Sequence, residues 1–206
     1  MQKMTNSVDQ KNALPGRDAA MKINEKHAVL ETTMKEPFQN NHKTIILGLG
    51  CFWGAERLFW QCDGVITTAV GYAGGFTPNP TYEEVCSGLT GHTEVVLIVY
   101  DPLIISLNNL LVIFWQSHNP SQGMRQGNDI GTQYRSAIYV NNEDDYEVVV
   151  TSKVKYEQKL AKNGHPSITT EIKILDKLYY AEDYHQQYLF KNPNGYCGLS
   201  GTGVDY

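Results

Sequence analysis

Four short apolar runs recur along this chain, and the stretches between them have helical character. Residues 44–49 (TIILGL), 65–72 (VITTAVGY), 94–100 (EVVLIVY) and 134–140 (YRSAIYV) have the length and β-branched content of buried strands. Residues 52–61 carry apolar or aromatic side chains at 52, 55, 58 and 59, which form one helix face. Thr81 followed by Glu84 is a capping box, so a short helix starts at Tyr82. Ser106 is an N-cap for an amphipathic segment over 107–118. A long helix is expected over 143–163 with Gly164 as its stop, and a fifth, short strand over 172–175. This alternation predicts an α/β fold, a two-layer α-β sandwich, and not a bundle or an all-β barrel.

Residues 43–206 are expected to form a single domain with a glycine-rich, mobile tail after Asn192. Residues 1–42 are polar, weakly periodic and broken at Leu14-Pro15-Gly16, as suits an extension that wraps the core or is partly mobile. The polar loop over 119–132 is long for a compact domain, and loops of that length are usually functional or disordered. A net charge of −5 gives no electrostatic reason to expect nucleic acid or an anionic membrane. No apolar run approaches the roughly 20 residues of a spanning helix, and the N-terminus has no secretory apolar stretch. The expectation is a monomer in the cytoplasm. Cys51, Cys62, Cys86 and Cys197 form no zinc-like spacing, so no metal is expected. Cys62 and Cys86 read as buried small hydrophobes. Cys51 and Cys197 lie instead in glycine-bounded turns.

The turn LGLGCFWGAE, residues 47–56, resembles a phosphate loop at first sight. Its glycine spacing is one residue longer than the dinucleotide fingerprint, and the acidic residue expected about 20 positions on is missing, with Val70 and Gly71 there. Phe52 and Trp53 would also crowd an approaching pyrophosphate. The other reading places Cys51 between a strand end and a helix start, facing unpaired N–H groups and the positive end of the helix dipole. That position is expected to stabilise the thiolate and lower the thiol pKa below its free value of about 8.5. Neighbouring aromatic rings would suit a polarizable thioether or S-methyl group. A cysteine hydrolase using His92, His118 or His185 as base, and a non-enzymatic module for methionine-rich segments, are the alternatives.

Several motifs in order now resemble one family, the type A peptide methionine sulfoxide reductases. They are GCFWGAE at 50–56, GYAGG at 71–75, NPTYEEVCSG at 79–88, GHTEVV at 91–96, QGNDIGTQYRSAIY at 126–139 and AEDYHQQYLFKNPNGYCG at 181–198. The ALPGR segment at 13–17 resembles the longer bacterial members. The resemblance implies a ferredoxin-like core with a mixed sheet and extended terminal segments. It implies reduction of methionine S-sulfoxide, free or in oxidised proteins, with no cofactor and with thioredoxin as reductant.

The resemblance also implies roles. Cys51 is the nucleophile and becomes a sulfenic acid. Glu94 is the general acid, and desolvation near aromatic rings is expected to raise its pKa. Tyr82 and Tyr134 direct hydroxyls at the sulfoxide oxygen, Asp129 lies near the pocket, and Phe52 and Trp53 hold the substrate methyl. Cys197 is the resolving cysteine, and His185 and Tyr188 orient the pocket or pack the tail. Many bacterial relatives carry a further cysteine near the C-terminus. Asp205 and Tyr206 stand there in this chain, so a Cys51–Cys197 disulfide is expected to meet the reductant directly.

Overall fold

The computed structural model describes residues 6–175 and 177–206. In chain order its elements are β1 (Lys43–Leu49), α1 (Phe52–Trp60), β2 (Val65–Ala73), α2 (Tyr82–Cys86), β3 (Thr93–Tyr100) and α3 (Leu107–Ser117). They continue with β4 (Arg125–Gln126), β5 (Asp129–Ile130), β6 (Ser136–Val140), α4 (Glu143–Lys162), β7 (Glu171–Ile174), β8 (Tyr179–Tyr180) and α5 (Tyr188–Lys191). One sheet has the order β7-β6-β1-β3-β2-β8. Its centre, β6-β1-β3-β2, is antiparallel throughout, and β7 joins β6 in parallel. With α1 and α3 as crossovers, this is the split βαβ arrangement of a ferredoxin-like core inside a mixed sheet.

The apolar run of β3 over residues 95–100 has a direct cause. Val96, Ile98 and Tyr100 face the helices, in one core with Phe52, Phe59, Phe114 and Trp115. Val95, Leu97 and Val99 face the other way, against Ile23, Met34 and Ala137. The N-terminal segment and residues near 178–180 therefore cover the second face of the sheet, and β3 is buried on both sides. No helix among the described residues is long and apolar enough to cross a membrane.

Two differences from the sequence reading have local causes. Tyr134 closes a 3-10 turn, Thr132–Tyr134, and the strand begins only at Ser136. The turn is fastened by the Thr93 hydroxyl, which donates to the Gln133 carbonyl at 2.8 Å. The long polar loop contains the small hairpin β4-β5, and Gln126 folds back on Asn119 through both ends of its amide (3.2 and 3.1 Å).

The capping box on α2 is complete: Thr81 accepts from the Glu84 N–H, and the Glu84 carboxylate accepts from the Thr81 N–H at 2.9 Å. The same Glu84 carboxylate pairs with Arg17 at 2.7 Å, so the N-terminal segment also holds this short helix. Thr81→Ala is expected to cost about 1 kcal/mol, measured by urea unfolding.

Candidate active site

Cys51 is the half-buried N-cap of α1, and the chain turns into it through Gly50 at φ +95°. A Cβ on Gly50 would come within 2.6 Å of the Gln126 side chain, so glycine is required by conformation and by space. Glu94 lies beside this turn because of strand register. The β1–β3 ladder pairs Leu47 with Val96, which brings the end of β1 level with Glu94. Gly48 permits that approach, since a Cβ there would meet the Glu94 carbonyl at 3.1 Å. Glu94 is only 1% exposed, and its carboxyl accepts from the N–H of Phe52 at 3.0 Å.

The aromatic side of the site forms around His185. The Phe52 and Tyr82 rings lie 5.1 and 4.6 Å from its ring. Trp53 donates its indole N–H to His185 Nδ1 at 3.0 Å, while its face stacks on Tyr188 at 3.8 Å. Phe52 is sealed in the core and Trp53 is partly exposed, so the two adjacent rings point in different directions. The hydroxyls of Tyr82 and Tyr134 lie in the field of Glu94, and Tyr134 also feels Cys51 and Asp129. Asp129, at the start of β5, accepts from the Tyr196 hydroxyl at 3.3 Å.

Cys197 is exposed and lies against the first turn of α1. A Cβ on Gly54 would meet its Sγ at 2.8 Å. Beyond it, the Tyr156 hydroxyl donates to the Val204 carbonyl at 2.9 Å, and Tyr206 stacks on Tyr156 beneath the Lys155 ammonium. The glycine-rich tail is therefore fastened on α4 past the cysteine. The residues to which the family resemblance assigns roles thus gather around the N-terminus of α1.

Protonation follows from this burial. Desolvation raises the Glu94 carboxyl from 4.5 to about 8, against the Phe52 hydrogen bond and with the help of Asp129. Burial also pushes both tyrosine hydroxyls up, which keeps them hydrogen-bond donors. The Cys51 thiol departs from the sequence expectation. Burial raises it, and the Glu94 charge raises it further; the Trp53 N–H at the helix start lowers it but does not prevail. The helix terminus acts as expected and is outweighed by desolvation. Cys51 is a protonated thiol at rest.

Cys86 also departs from expectation: it is exposed at the end of α2, one turn after Tyr82. Of the histidines offered as hydrolase bases, His92 and His118 are occupied elsewhere, while His185 lies in the site with its Nε2 buried and unpartnered. His92 Nε2 contacts the Thr77 carbonyl, His118 lies between the Phe114 carbonyl and Ser136, and His185 accepts from Trp53. Among the described residues no three His, Cys, Asp or Glu side chains are placed to hold a metal. The sequence reading missed Glu182, whose carboxylate accepts from the Tyr82 N–H (2.8 Å) and the Tyr72 hydroxyl (2.9 Å). It also missed Glu56, wholly buried one turn beyond Phe52. Glu56 lay in a quoted motif, and a glutamate on the apolar side of a short helix was the available signal.

The raised Glu94 pKa fixes a pH dependence. The folded state keeps this proton longer than the unfolded state, so the group's contribution is complete below pH 4.5 and is lost as pH rises through about 8. Glu94→Gln cannot titrate. The variant is expected to gain stability relative to the parent between pH 5 and pH 9, seen as a growing difference in Tm.

The chain is similar to known proteins both in sequence and in fold. The family profile described as peptide methionine sulfoxide reductase matches residues 43–203. The chain is 62% identical over 192 residues to the peptide methionine sulfoxide reductase MsrA of Rippkaea orientalis, covering 93% of this chain and 88% of that one. Methionine sulfoxide reductase A of Corynebacterium diphtheriae superposes with a TM-score of 0.88 at 47% identity, covering 93% of each chain. Mxr1 from Saccharomyces cerevisiae in reduced form superposes with a TM-score of 0.72 at 35% identity, covering 79% of this chain and 92% of Mxr1. The α+β sandwich is thus shared with methionine sulfoxide reductases, and the chain belongs to the peptide methionine sulfoxide reductase family.

Proposed function

We propose that the chain reduces methionine S-sulfoxide, free or in proteins, at the N-terminus of α1, with Cys51 as nucleophile and Glu94 as general acid. The observation that carries this reading is the buried Glu94 carboxyl beside the Cys51 turn, with its pKa at about 8. A sulfoxide sulfur resists attack until its oxygen is protonated or strongly hydrogen-bonded. Glu94 holds a proton at neutral pH, and Tyr82 and Tyr134 supply further donors. Trp53 faces the methyl group, the Phe52 ring expected beside it is sealed in the core behind, and Asp129, His185 and Tyr188 order the surroundings.

The steps balance without a cofactor. The Cys51 sulfur attacks the sulfoxide sulfur while Glu94 gives its proton to the oxygen and receives the proton of the thiol. The oxygen passes to Cys51, so methionine leaves reduced and Cys51 becomes a sulfenic acid. A thiol that is protonated at rest suits this exchange, because the incoming sulfoxide oxygen provides the destination for a proton. The Cys197 thiol then displaces water from the sulfenic acid and forms the Cys51–Cys197 disulfide. A dithiol of the thioredoxin class reduces that disulfide and restores both thiols. Mxr1, a structural neighbour, has been solved in complex with Trx2.

A peptide carrying both sulfoxide epimers, incubated with the enzyme and dithiothreitol, is expected to lose only the S epimer; loss of the R epimer alone would refute the assignment. Cys51→Ser should abolish reduction. Cys197→Ser should release one methionine per enzyme and then stop with thioredoxin, and continued turnover would remove Cys197 as the resolving group. Glu94→Gln should slow the chemical step by about 10²–10⁴-fold. In the parent that step should fade as pH rises through about 8, where Glu94 loses its proton. Gly54→Ala should slow disulfide formation by displacing Cys197, read by quenched-flow alkylation.

A further inference from the structure

Beneath the aromatic wall lies a buried polar chain that no step of the reaction uses. Its hydrogen-bond directions are fixed from one end. The N–H groups of Val29 and Leu30 both point at His27 Nδ1 (3.1 and 2.9 Å), so that nitrogen is an acceptor. Burial lowers the His27 pKa to about 4, so the ring is neutral and its proton is on Nε2. Nε2 therefore donates to the Thr68 hydroxyl (2.9 Å), and that hydroxyl donates to Glu56 Oε1 (3.1 Å). Gln187 adds two more donors. Its side-chain Nε2 bonds Glu56 Oε1 at 2.7 Å, and its backbone N–H bonds Glu56 Oε2 at 2.8 Å.

Three donors thus converge on one carboxylate that is 0% exposed. Only an acceptor on both oxygens satisfies them all, which explains a glutamate in this place and not a glutamine. Gln187 needs the support. It is a non-glycine residue at φ +48°, the left-handed conformation, immediately before α5. Its two neighbours in sequence, one on either side within two residues, are the partners of Trp53: His185 takes the indole N–H and Tyr188 takes the indole face. Glu56 and Trp53 are three residues apart on α1, so they lie on adjacent turns of one face.

We infer that Glu56 is a positioning residue for the methyl-binding wall: by holding Gln187 in its turn, it keeps His185 and Tyr188 against Trp53. The inference rests on the reading of Trp53 as part of the substrate pocket. Glu56 touches no reacting atom. It sets where the indole stands when substrate arrives, so its loss should weaken binding more than chemistry. Glu56→Gln tests this at nearly constant volume, because it turns an acceptor into an NH2 group facing other donors.

With a methionine-sulfoxide peptide and dithiothreitol, Glu56→Gln is expected to raise KM about three- to tenfold while kcat changes less than about twofold. The Trp53 indole N–H resonance, assigned through Trp53→Phe, should shift and exchange faster with solvent. Gln187→Met serves if Glu56→Gln does not fold; it keeps the backbone bond and loses the side-chain donor, so a smaller change in the same direction is expected. A folded variant with KM and the indole resonance of the parent overturns the inference, as does a fall in kcat at unchanged KM. Trp53→Phe separates the two levels. If it leaves KM unchanged, the pocket reading fails; if it raises KM while Glu56→Gln does not, only the role of Glu56 fails.

Discussion

The site depends on a carboxyl group kept out of water beside a thiol that is itself largely desolvated. Glu94 and Cys51 each resist ionisation because of burial, and each would resist it more if the other were charged. At neutral pH the pair therefore stores two protons and little charge. That resting state fits the reaction proposed for Cys51. A sulfoxide supplies an oxygen that needs a proton, so proton delivery to substrate and proton removal from sulfur can be one exchange through Glu94.

The fold creates this pairing through register. Glu94 is 43 positions beyond Cys51, and no local pattern joins them. They meet because β3 runs antiparallel to β1, and because Gly48 and Gly50 leave room for backbone and side chains that a Cβ would exclude. Strand alternation then decides the face. Glu94 shares the helix side of β3 with Val96, Ile98 and Tyr100, so it points toward α1 and away from the N-terminal cover. A slip of one residue would direct the carboxyl to the other side of the sheet.

The remaining parts are held from a distance by segments that look peripheral in sequence. Arg17 and the loop around Pro78 tie the N-terminal segment to α2, which carries Tyr82. His27 reaches Glu56 through Thr68, and Glu56 reaches the turn that carries His185. Tyr156 and Tyr206 fasten the tail past Cys197. The core sandwich supplies the strands and α1, the C-terminal segment supplies His185, Tyr188 and the second sulfur, and the N-terminal segment braces them from behind.

Much of this was legible before any coordinates. The strands over 44–49, 65–72 and 94–100, the capping box at Thr81 and the long helix ending at Gly164 all follow from period, caps and turn residues, which act over a few positions. The residues of the site were legible only because several motifs resembled one family; their types alone left a hydrolase and a binding module open. The hairpin β4-β5, the pair Tyr179–Tyr180 and the short α5 were not legible, because two to four residues are too few to show a period.

The amino-acid order by itself determined which segments could be strands or helices, where they start and stop, and that a cysteine would cap a helix between two glycines. Tertiary structure alone decided how those groups are charged. The helix terminus at Cys51 is a local property and is present as expected, but pKa is set by the whole surroundings. Desolvation outweighs the one favourable N–H at the helix start, and Glu94, Asp129 and Cys197, which add to it, are brought beside Cys51 only by the fold.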